Sequence, residues 1–105
     1  MKKHALVFIP AMLLSMLTEA GCPPPPVSAA PVIPDGSVAT ADVMYEAQEQ
    51  VADYVVTIED YLECRGNRLP YALSDFRVRQ VEQIAQEYNV ELREFRARQQ
   101  EIVQN

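Results

Sequence analysis

Cys22 and Cys64 are the residues of this chain best equipped for covalent chemistry, and it holds no other cysteine. A thiol pair can close a bridge or supply a nucleophile, and the nucleophile needs a nearby base. None is at hand. The lone histidine, His4, lies in the first segment, so Ser-His-Asp catalysis, Cys-His catalysis and histidine-ligated metals are excluded from the remainder. Carboxylates abound, but without a phosphate-cradling glycine loop or metal-ligand spacing they read as a solvated face. The sequence therefore predicts a non-enzyme with no catalytic residue, no cofactor and no metal.

The segment ahead of Cys22 decides which thiol chemistry applies. Lys2 and Lys3 precede an apolar run from Ala5 to Leu17, interrupted by Pro10 and Ser15. As a helix that run spans about 20 Å, short of the roughly 30 Å hydrocarbon core of a bilayer. Thr18-Glu19-Ala20 puts small residues where a leader peptidase needs them, so residues 1–20 read as a signal peptide cut before Gly21. The expected location is the periplasm or the outside medium. Removing Lys2, Lys3 and Glu19 takes 15 acidic and 9 basic residues to 14 and 7, a net charge of −7. Phosphate backbones repel such a chain, so nucleic acid is not an expected partner.

In an oxidising compartment an even cysteine count suggests a disulfide, and an intramolecular one must join Cys22 to Cys64. The reach is sufficient. Eighteen residues from Cys22 to Thr40 extend to about 56 Å in polyproline form, whereas a helix from Thr40 to Cys64 measures about 36 Å. A free thiol and an intermolecular bridge stay open as alternatives. So does lipidation of Cys22, because Ala20-Gly21-Cys22 resembles the end of a lipoprotein signal, with Glu19 where that motif has an apolar residue. Bridge and lipid exclude each other, since each consumes the Cys22 thiol; a membrane is expected only with the lipid or an uncleaved leader.

The elements that must position the two cysteines follow. Residues 21–39 hold Pro23 to Pro26, Pro31 and Pro34; proline fixes φ and removes donors, so an extended tether is predicted. Val27, Val32 and Ile33 are its candidates for lying on the helices, and Pro34-Asp35-Gly36 is a turn signal. The span 40–105 reads as a helical hairpin. Thr40 caps helix one, about 41–65, whose apolar seam steps by three and four through Met44, Ala47, Val51, Tyr54, Ile58 and Tyr61. Gly66 is expected to end it in the left-handed region, with Arg65 facing the last carbonyls.

Helix two is predicted near 74–103, capped by Ser74 or Asp75, with Pro70 able to open an earlier turn. Its seam runs Val78, Val81, Ala85, Tyr88, Leu92, Phe95 and Ile102, with Gln99 as a polar break. Equal periods and a short loop predict an all-α, coiled-coil-like antiparallel pair. Tyr45 is read with Tyr54, Tyr61 and Tyr88 as core or interface, and Asn89 as facing solvent. Arginines 93–98 are expected beside the acidic start of helix one, and arginines 77–79 beside its end. So small a core needs help from the bridge, the tether or a second copy.

Ile33-Pro34-Asp35-Gly36, then Tyr61-Leu62-Glu63-Cys64, then Tyr88-Asn89 with Arg93-Glu94-Phe95-Arg96-Ala97-Arg98, resemble a family of small exported bacterial proteins of unknown function. The likeness covers about residues 33–98, departs in the loop after Cys64, and implies an early cysteine but no activity. The functional expectation is a periplasmic interaction or structural module that binds a protein partner or itself as a homodimer; the alternative is a lipoprotein anchored through Cys22.

Overall fold

The computed structural model describes residues 21–26 and 29–104; the expected leader and Val27 lie outside them. The order is helix α1 (Ala41–Arg65), one 3-10 turn (Gly66–Arg68) and helix α2 (Tyr71–Gln104), with no strand among the described residues. The helices form an antiparallel hairpin. Arg77 near the start of α2 sits over the Tyr61 ring near the end of α1, while the Tyr88 hydroxyl donates to the Met44 carbonyl near the start of α1 at 3.3 Å.

Local chemistry sets the ends of α1. Thr40 is extended, and its hydroxyl oxygen accepts the Val43 N–H at 3.3 Å, with Asp42 in the first turn where the helix dipole favours a carboxylate. Gly66 closes the helix at φ 51°, its N–H bonded to the Leu62 carbonyl. The expected role of Arg65 at the final carbonyls is taken by Arg68, which donates to Cys64 O at 3.0 Å and Arg65 O at 3.4 Å. The 3-10 turn swings Arg68 back over those carbonyls, leaving Arg65 against the Tyr61 ring at 5.8 Å.

Helix α2 begins at Tyr71, earlier than the expected Ser74. The Pro70 carbonyl accepts from Leu73 N at 3.0 Å and Ser74 N at 3.1 Å. A proline with fixed φ and no N–H to satisfy suits a helix start, so it displaces the polar caps downstream.

The buried residues of α1 are Met44, Ala47, Val51, Tyr54, Ile58 and Tyr61. Ile58 is fully buried, which stabilises by about 1.5–3 kcal/mol. The α2 side is more open: Tyr88 is buried, while Val81, Ala85, Leu92 and Phe95 are half-buried. Ile84 also packs on the core cluster of Ala39, Met44, Ala47, Val51 and Tyr88, although the three-four seam omits it. Val78 and Ile102, expected on the seam, are exposed, Ile102 by 63% because it lies beyond the start of α1. Tyr45 is likewise exposed, at 63%. Asn89 faces solvent.

The tether completes the core. Cys22 and Cys64 are disulfide-bonded with Cα atoms 5.9 Å apart, so the extended chain starts at the far end of α1 and returns along the hairpin to Thr40. Ile33 packs on the core and Pro25 is buried, whereas Val32 points outward, 88% exposed.

Candidate functional site

Among the described residues, the seat of the tether on α2 and the bridged loop end bring polar side chains and the two cysteines into contact between elements. Three α2 side chains hold the tether. Arg77 donates to the Pro25 carbonyl at 3.1 Å, Glu91 accepts the Gly36 N–H at 2.7 Å, and Arg98 donates to the Ser37 carbonyl at 2.6 Å and to the Ala39 carbonyl. With Ile84 these residues recur every seven positions, which aligns them in one row beside the seam. The tether runs parallel to α2 along that row. The Pro25 carbonyl lies in proline-rich extended backbone that makes few hydrogen bonds of its own, and those of Ser37 and Ala39 lie in and just after the turn before α1; the two arginines supply their donors.

The turn between tether and α1 is built on Asp35. Its carboxylate accepts both the Ser37 N–H at 2.9 Å and the Ser37 hydroxyl at 2.5 Å, and its carbonyl accepts the Ala39 N–H. These bonds from Ser37, helped by the Arg98 charge, hold the Asp35 carboxyl below its ordinary pKa. Gly36 packs so closely that a Cβ would fall 1.8 Å from the Glu91 carbonyl oxygen.

The expected ion pairs between helices are not formed among the described residues. The salt bridge found there, Arg79 with Asp75 at 2.9 Å, lies within α2. An exposed pair gains little in water, whereas a partnerless carbonyl beside a guanidinium gains a charge-assisted bond, so Arg77 and Arg98 go to the tether. Arg98 also stacks on the Phe95 ring at 5.5 Å. On α1, the Glu49 carboxylate hydrogen-bonds the exposed Tyr45 hydroxyl and raises its pKa.

Asp35, Glu91 and Glu94 bring carboxylate oxygens within 4.8 Å of one another, a donor set suited to a hard cation, yet Asp35 and Glu91 already accept backbone N–H groups. An open groove of about 530 Å³ lies between the proline run and α1, lined by Pro23, Pro26, Thr57, Asp60 and Tyr61. Asp60 is its one charged wall. No described helix is long and apolar enough to cross a membrane. The Cys22 and Cys64 thiols are spent on each other.

The sequence placed the α1 seam and the cysteine partners, but it missed Ile84, Glu91 and the tether contacts of Arg77 and Arg98. Their heptad spacing is the signal that points to them. Comparison with family models, curated proteins and solved structures returns no match.

Proposed function

We propose that this chain is an exported envelope protein in which a disulfide-locked helical hairpin serves as a rigid interaction or structural module without catalytic activity. The bridge from Cys22 to Cys64 carries the reading. Such a bond persists in oxidising compartments, and the leader-like residues 1–20 point to the same place. The likeness to small exported bacterial proteins supports it further. A partner protein or a second copy finds free apolar surface where α2 outruns α1: Arg98 already bonds ahead of the first turn of α1, and beyond it Ile102 and Val103 are 63% and 83% exposed.

A lipoprotein anchored through Cys22 is the second reading, and the bridge weighs against it because the sulfur is occupied. Fractionation of bacteria producing the full chain separates the cases. Release with the soluble periplasmic contents is the expected result. Retention in membranes after a carbonate wash would instead favour the lipid or an uncleaved leader, and recovery from the cytoplasm would defeat both.

A further inference from the structure

The two ends of the bridge differ in how they meet solvent. Cys22 is buried, at 7% exposure, whereas Cys64 in the last turn of α1 is exposed, and the bridge forms part of the wall of the open groove beside the proline run. Thiol–disulfide exchange needs a thiolate to reach one sulfur and the other sulfur to depart. Access selects Cys64 as the sulfur attacked. Departure selects Cys22, because Cys64 is fixed in a helix while Cys22 sits on the extended tether.

The two halves of the tether are held unequally once that bond is gone. Next to the bridge, Cys22 and Pro25 are buried while Pro23, Pro24 and Pro26 are exposed, so every third residue turns inward, the period of polyproline backbone. Apart from the bridge, the hold on this run among the described residues is the burial of Pro25 and the hydrogen bond from Arg77 to its carbonyl at 3.1 Å; prolines have no N–H to add another. Toward α1 the hold is denser. Ile33 packs on the core cluster, Ala39 belongs to it, Gly36 donates to Glu91, and Arg98 donates to the Ser37 and Ala39 carbonyls. The α1 members of that cluster, Met44, Ala47 and Val51, lie in the half of the helix away from Cys64. Opening the bridge therefore frees the proline run and leaves the turn and the core in place.

We propose that Cys64 is a thiol–disulfide exchange site through which a dithiol protein opens the proline run as a strap. The partner's thiolate attacks the Cys64 Sγ and forms a mixed disulfide there as the bond to Cys22 breaks; Cys22 leaves as a thiolate and takes up a proton. The partner's second thiolate then attacks its own sulfur in the mixed disulfide and releases Cys64, which is protonated in turn. This chain ends with two thiols and the partner with a disulfide, and the oxidised partner reverses the steps. Because the tether stays seated from Ile33 onward, Cys22 remains within about 34 Å of that anchor, so reclosing is intramolecular. With the strap out, Arg77 and the groove wall of Thr57, Asp60 and Tyr61 are free to meet another protein. The proposal rests on the exported interaction module for its use, but its test does not.

A thioredoxin variant without its second cysteine is the probe, since its mixed disulfide cannot resolve. It is added to the bridged, folded chain without denaturant, free thiols are blocked, and the adduct is mapped by peptide mass. The expected adduct lies on Cys64, by about tenfold over Cys22. No adduct on the folded chain, or one mainly on Cys22, overturns the exchange site. The strap is read separately, by comparing the bridged chain with the reduced chain and with Cys22→Ser in amide NMR and hydrogen exchange. The Thr57 amide, two turns from Cys64, is expected to shift in both open forms, while the Gly36 amide keeps its slow exchange and the helices persist. Loss of Gly36 protection or of helicity together with the bridge overturns the strap, and so does an unmoved Thr57 signal. A cytoplasmic location in cells would defeat the export reading and leave both results standing, whereas a failed trap on an exported chain would leave that reading intact.

Discussion

Replacing Gly36 with alanine sets a methyl carbon where the Glu91 carbonyl oxygen already stands, 1.8 Å away. Both partners are backbone, so neither can turn aside; the turn must lift off α2, loosening the Gly36 N–H bond to Glu91 and straining the hold of Arg98 on Ser37 and Ala39. The expected loss is about 1–3 kcal/mol in urea unfolding. Gly66 gives the contrast. A Cβ there meets nothing within 4 Å, and only its positive φ opposes a side chain, so Gly66→Ala is expected to lower stability by about 1 kcal/mol. If Gly36→Ala proved the milder of the two, the close seat of the turn on α2 would be wrong. The sequence marked Pro34-Asp35-Gly36 as a turn, but the need for glycine comes from a residue 55 positions away, which local turn chemistry does not reveal.

Helix α1 was legible because its signals are local: a threonine cap, an acid in the first turn, a three-four stripe and a glycine stop. For α2 local signals competed. Ser74 and Asp75 have the side chains of a cap, but Pro70 lies upstream and its carbonyl takes the first amides. Thr40→Ala is accordingly expected to lower stability by about 1 kcal/mol, and Ser74→Ala, inside the first turns of α2, by under about 0.5 kcal/mol. Thermal unfolding of the two proteins checks the order, and equal losses would restore Ser74 as the cap. The row Arg77, Ile84, Glu91 and Arg98 was also present in the sequence. It was hidden because its charges were matched to the acids of α1, whereas the tether's bare carbonyls were the stronger claim on the two arginines.

Two helices alone cover little surface, and the whole molecule meets that shortage by laying its own N-terminal chain over the hairpin. The bridge closes a segment with a sequence separation of 42, worth up to roughly 4 kcal/mol in the chain-entropy model and less if the proline-rich tether is already stiff. Arg77, Glu91 and Arg98 then hold the same chain along α2, so the tether belongs to the folded unit. On this account the covalent state of Cys22 governs both architecture and biology: a bridge locks the tether and leaves no sulfur for lipid. The intact mass of the protein recovered from bacteria, read with and without reductant, tests this most directly. The account predicts a chain without residues 1–20 and without lipid, two hydrogens below its free-thiol mass and restored by reductant. A retained leader, an added lipid, or a mass unmoved by reductant would contradict it.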